Sequence, residues 1–123
     1  MAEQNTYKFK RLSYEYIRGL VEGEGCFTFH TVGKEYAKKK MPAFALGMSK
    51  RDEELLRKVR SSLNLRSSVY TYPPRERKDG YKRQGMAVLL VRGFGDIKNI
   101  IIPLFYKKLN GYKAIQFDEW IST

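Results

Sequence analysis

The sequence predicts an α+β fold, with one antiparallel sheet, helices packed on one of its faces, and the other face left free. Three observations lead there. Helical and extended periodicities alternate along the chain in the order α-β-β-α-β-β-α-α. Each of the two strand pairs is joined by a polar, turn-forming segment, as in a hairpin. The chain has 123 residues, enough for one domain around one core. Two hairpins with helices between them, in so short a chain, pack as two layers.

The first twelve residues are polar and basic and read as an arm preceding the domain, which otherwise takes in the whole of 1–123. Ser13 is a plausible N-cap, and Tyr16, Ile17, Leu20 and Val21 recur at helical spacing behind it. Gly25 ends that helix. The run CFTFHTV alternates and is rich in aromatic and β-branched residues, which reads as a strand. GKEYAKKKMP is expected to be an exposed connection carrying Lys34, Lys38, Lys39 and Lys40, with a second strand over residues 43–49. Asp52 could cap a second helix, with Leu55, Leu56, Val59 and Leu63 on its apolar side and Asn64 ending it in the left-handed region. SSVYTY and GMAVLLV form the second strand pair, with Asp79-Gly80 as the turn signal between them. A helix after Gly93 and Gly95 contains Ile97, Ile100 and Ile101 and is interrupted by Pro103. A last helix runs from about Tyr112 to Ile121 and carries Ile115 and Trp120.

Charge narrows the class. The chain has 24 Lys and Arg against 13 Asp and Glu, a formal net charge of +11. So large a surplus on a small domain suggests a polyanionic partner, most often nucleic acid. One cysteine, Cys26, leaves no partner for an intrachain disulfide and no multi-cysteine zinc site. No apolar run approaches a membrane span, and the N-terminus lacks the apolar stretch of a signal peptide. The expectation is a soluble, intracellular protein without a membrane partner or an organic cofactor.

A free sheet face bordered by basic loops suits duplex DNA, whose major groove admits a two-stranded ribbon. If Phe27 and Phe29 point into the core, alternation turns Cys26, Thr28, His30 and Val32 outward, toward that groove. Arg75, Arg77, Lys78, Lys82 and Arg83 in the second hairpin loop would flank the groove and meet phosphates. A Cys26–His30 nucleophile–base pair is rejected. Four residues along a strand put the two backbones roughly 13 Å apart.

The stretch IRGLVEGEG, residues 17–25, puts Gly19 and Gly23 one turn apart on one helix face. Bare positions at that spacing let another backbone approach closely. The pattern occurs once, so the partner is the same helix of a second copy, packed across a two-fold axis. Glu24 would then meet its counterpart near the axis, where two carboxylates repel unless a divalent cation bridges them.

IRGLVEGEG resembles the LAGLIDADG motif of homing endonucleases. Gly19, Leu20 and Gly25 match outright. Ile17 and Val21 are conservative, Glu22 and Glu24 replace the two aspartates, and Gly23 replaces the second alanine. Arg18 departs from the motif, which is tolerable if its side chain faces away from the helix interface. GEGCF, SKRDEELLRKV, IKNIIIPLF and YKAIQFDEW also look like the single-motif family, so the likeness covers nearly the whole chain. The resemblance implies an αββαββα fold with a saddle-shaped sheet. It further implies a homodimeric endonuclease that makes a double-strand break in a long, partly palindromic site of double-stranded DNA. Gly19, Leu20 and Gly23 would lie in the dimer interface. The implied metal is Mg2+, with Mn2+ or Ca2+ able to substitute for binding. Glu24 would be its ligand, with the Gly23 carbonyl assisting, and the ion would activate a water and neutralise charge at the phosphate. Glu22 is expected to bond backbone at the base of the helix. Lys50, from the trio Ser49, Lys50 and Arg51 at the end of the second strand, and Lys113, before the last helix, stand where the family places polar or basic catalytic residues. The alternative is a non-cleaving relative of the same fold, an intron RNA maturase or a transcription factor.

Overall fold

The computed structural model describes residues 11–73, 75–76, 82–83 and 85–122. Helix α1, Tyr14–Glu24, starts where the Ser13 hydroxyl accepts the Tyr16 N–H at 3.0 Å. It ends at Gly25, whose backbone is already extended as it enters strand β1, Gly25–Val32. Glycine is needed there for space rather than for a special backbone angle: a Cβ would lie 2.6 Å from Val21 Cγ1. Gly33, at φ +98°, turns the chain. A short 3-10 turn, Glu35–Ala37, then leads into β2, Lys39–Ser49. That strand begins four residues before the expected Ala43, so Lys39 and Lys40 belong to it and not to the connection. Pro42 is tolerated because β6 covers β2 only over 44–49, leaving the earlier half paired on one side alone.

A 3-10 turn, Lys50–Asp52, precedes α2, Glu53–Leu63, and the Asp52 side chain makes no capping hydrogen bond. Asn64 ends α2 at φ 58°, ψ 42°, in the left-handed region as expected. Strand β3, Ser68–Tyr72, is followed by a two-stranded ribbon not foreseen in the sequence, β4, Arg75–Glu76, against β5, Lys82–Arg83. Strand β6 is Met86–Val91. Helix α3 has three consecutive pieces: Phe94–Asp96, a π-helical Ile97–Ile101, and Ile102–Phe105. Pro103 does not interrupt it. The wide turn, closed by Ile102 N–H to the Ile97 carbonyl, ends just before the proline, which then occupies the first turn of the last piece, where its missing N–H is harmless. Helix α4 is Tyr112–Ile121. The expected arm, through residue 10, and the Asp79-Gly80 turn lie outside the described residues.

The main sheet is fully antiparallel, in the order β1-β2-β6-β3. The two hairpins thus join through their returning strands, β2 and β6. All the buried helical side chains converge on one sheet face. Ile17 and Val21 come from α1, Leu56 and Val59 from α2, Ile97 and Ile101 from α3, and Phe117 and Trp120 from α4. Phe27 sits at the centre, its ring 5.0–5.5 Å from those of Phe44, Phe105, Phe117 and Trp120. Two residues assigned to apolar stripes are exposed instead, Tyr16 at 48% and Ile115 at 56%. Each lies on the helix side turned from the sheet. Helix α4 also seals β1: Gln116 Oε1 accepts the Phe27 N–H, and Trp120 Nε1–H donates to the Thr28 carbonyl at 2.7 Å.

Candidate nucleic-acid interface and acidic centre

The sheet face away from the helices is uncovered among the described residues. On β1 it carries Cys26, Thr28, His30 and Val32, the parity expected from the sequence; His30 is half-buried and the other three are exposed. The register extends the face across positions the sequence reading passed over. Met41, Ala43 (buried), Ala45, Gly47 and Ser49 share it on β2, Met86, Val88 and Leu90 on β6, and Ser68, Tyr70 and Tyr72 on β3. Alternation, applied to β3 as it was to β1, would have found the tyrosines, which are 47% and 52% exposed. It could not have sorted β6, apolar at every position, because nothing in such a run marks which side is in.

Basic residues border this face. Lys34 and Lys38 flank the 3-10 turn at the tip of the first hairpin, and Lys39 and Lys40 open β2; all four are exposed. In the second hairpin, the backbones of Arg75 and Arg83 pair directly, as do those of Glu76 and Lys82. Arg77 and Lys78 lie outside the described residues.

The acidic residues at the end of α1 separate by their partners. Glu22 accepts the backbone N–H groups of both Asn110 (at Oε2) and Gly111 (at Oε1), the second at 3.0 Å. It thereby ties the base of α1 to the start of α4. Glu24, two residues on, is exposed and has no hydrogen bond or ion pair among the described residues. Arg18 also points inward, its Nε–H donating to the Leu104 carbonyl at 2.7 Å. That places the departure from the motif away from Gly19 and Gly23, both exposed, with nothing within 4 Å of a Cβ at either position. Leu20 beside them is half-buried against the core.

Lys50 and Lys113 belong to the same end of the molecule as Glu24. Strand β1 opens at Gly25 opposite Leu46, so Glu24 lies at the end of the sheet where β2 finishes at Ser49 and Lys50 follows. Lys50 is exposed and its N–H bonds to the Gly85 carbonyl at 2.8 Å. Lys113 stands within the first turn of α4 rather than before it, three residues beyond Asn110, where Glu22 holds the chain.

Residues 17–123 match the LAGLIDADG endonuclease family. The chain belongs to that family. Among solved structures, the homing endonuclease I-TnaI superposes with a TM-score of 0.71 at 22% identity, covering 92% of this chain and 71% of its own. I-LtrWI, solved bound to target DNA, gives 0.71 at 21%, covering 99% of this chain and 43% of its own. I-SmaMI, solved bound to cleaved DNA, gives 0.71 at 21%, covering 93% and 37%. At such identities the likeness is one of fold. This LAGLIDADG chain spans less than half the length of the latter two. It holds one copy of the motif.

A divalent ion fits the donors at this end of α1 only in part. The Glu24 carboxylate and backbone carbonyls are hard oxygen donors of the kind Mg2+ and Ca2+ take. The described residues, however, contain no group of three or more His, Cys, Asp or Glu side chains able to hold a metal ion. An ion placed there would need further ligands, such as water or phosphate oxygens, beyond those side chains. Among the described residues no helix is long and apolar enough to cross a membrane.

Proposed function

We propose that this LAGLIDADG chain is a homodimeric, divalent-metal-dependent DNA endonuclease that makes a double-strand break in a long, partly palindromic site. The observation carrying the proposal is the division of labour between the two motif acids. Glu22 is fully engaged by backbone N–H groups, whereas Glu24 is exposed and without a partner among the described residues. An unpaired carboxylate on a DNA-binding surface repels phosphate, so binding alone gives no reason for it. Metal-assisted hydrolysis does, and the incomplete donor set of one chain is completed if a second copy brings its own Glu24. Duplex DNA as the partner is supported by the open sheet face, the net charge of +11 and the DNA complexes of the fold relatives.

In this reading Gly19 and Gly23 form the contact between two α1 helices, with Leu20 at its edge. A bound Mg2+ would supply Lewis acidity at the scissile phosphate and a water of lowered pKa. Glu24 would hold it, assisted by the Gly23 carbonyl. Mn2+ could replace it, and Ca2+, present in a solved complex of I-SmaMI with uncleaved DNA, would support binding. Lys50 and Lys113 present ammonium groups that stabilise charge developing on the phosphate. Cys26, Thr28, His30 and Val32 meet base edges, and the lysines at the tip of the first hairpin and the arginines and lysines of the second meet phosphates.

The test is Glu24→Gln. It removes the charge and keeps the shape, so binding to a cognate duplex in Ca2+ should stay within about threefold of wild type while Mg2+-dependent cleavage falls at least a hundredfold. A variant that still cuts would overturn the metal assignment. A wild-type protein that binds the duplex and never nicks it with Mg2+ or Mn2+ would favour a non-cleaving relative.

A further inference from the structure

Strand β6 is apolar on both faces. Its core-facing side, Ala87, Leu89 and Val91, is fully buried. Its other side, Met86, Val88 and Leu90, faces the open side of the sheet, and Met86 is 42% exposed. An antiparallel strand with one wet face normally carries polar side chains on it, and a strand apolar on both sides is normally covered on both. The register sets Leu90 beside Ala45, Val88 beside Gly47 and Met86 beside Ser49 on β2. Leu90, Val88, Ala45 and Gly47 in the middle of the open face thus offer no side-chain hydrogen-bonding group, and the Ser49 hydroxyl stands at the Met86 end. Polar groups return at its rims, with Thr28 on one side and Tyr70 and Tyr72 on the other.

This inference rests on the reading of the open face as the DNA interface. In the major groove, every base pair presents hydrogen-bonding atoms, and the 5-methyl group of thymine is the one apolar group on view. Base atoms pressed on the patch lose water and gain no partner, which disfavours sequences that present only polar edges there. We propose that the β2–β6 patch is a thymine-methyl reader. It would select A·T pairs in each half-site by contact of Leu90, Val88 and Met86 with thymine methyls, while Thr28, His30 and the tyrosines read the flanking pairs by hydrogen bonds. From Met86 to Leu90 a strand spans about 13 Å, close to four base-pair steps at about 3.4 Å each, so the block should be about five base pairs long.

The experiment starts from cleaved duplexes selected out of a randomised library with Mg2+. Each thymine of the best site is then replaced by deoxyuridine, which removes the methyl group and keeps the Watson–Crick and hydrogen-bonding edges. Affinity is measured in Ca2+. The selected sites should contain one block per half enriched in A·T pairs, and deoxyuridine in that block should weaken binding about fourfold per methyl, with no effect outside it. Val88→Thr, close in shape, tests the assignment to protein: it should reduce the penalty for deoxyuridine while the protein remains folded by circular dichroism. Uniform indifference to deoxyuridine, in sites that are still bound and cut, would overturn this inference and leave the endonuclease reading standing. Failure to bind or cut any duplex would overturn both.

Discussion

At the scale of single residues, Glu22 and Glu24 show how two like side chains acquire different work from their surroundings. Glu22 closes on two consecutive N–H groups ahead of α4, whose N-cap position, Gly111, has no side chain to do so. A carboxylate at a helix N-terminus also meets the favourable end of the helix dipole. Replacing it with alanine should destabilise the protein by about 2 kcal/mol, readable as a lowered urea midpoint. Because the same bonds fix the first turn of α4, Lys113 depends on them for its position. Glu22→Ala should therefore slow cleavage in the wild type and add little in a Lys113→Met background. Additive losses in that double-mutant cycle would mean that Glu22 and Lys113 act independently. Both acids were visible in the nonamer, and their likeness to the motif gave them different expected roles. The partners of Glu22 were not visible, since Asn110 and Gly111 lie 88 and 89 residues away in sequence.

At the scale of the element, α1 holds two glycines that the single chain does not explain. Each costs about 1 kcal/mol relative to alanine in a helix interior, and neither has an atom within 4 Å of where a Cβ would stand. In an isolated chain, alanine at either position would be an improvement. In a dimer packed through this face, a large side chain would hold the helices apart. Gly19→Leu should therefore give a folded monomer by analytical ultracentrifugation, with the helical signal retained. A variant that still dimerises would move the interface elsewhere. The periodicity of α1, α2 and the first strand was legible because each mixes apolar and polar residues at a clear period. The π turn of α3 was not, because Pro103 normally ends a helix and only the wide turn before it removes the conflict.

At the scale of the whole molecule, a net charge of +11 sits on a fold with one face open. If that face binds DNA through many phosphate contacts, counterion release makes affinity steeply salt-dependent. Binding should weaken by about a thousandfold between 50 and 200 mM salt. A deoxyuridine substitution should shift the whole curve without changing its slope, because a methyl contact releases no counterions. A flat salt dependence, read by fluorescence anisotropy, would exclude a phosphate-dominated interface.

The sequence alone determined the alternation of helices and strands, the two hairpins, the outward parity of β1 and the motif with its two acids. These depend on local periodicity, capping and residue type, which neighbours in sequence suffice to express. Tertiary structure decided which hairpin strands meet, and so which apolar side chains of β6 face outward. It also decided that Glu22 closes on the start of α4. Each of these is settled by contacts between segments far apart in sequence, where an all-apolar strand or a lone carboxylate fits several partners equally until packing and register leave one.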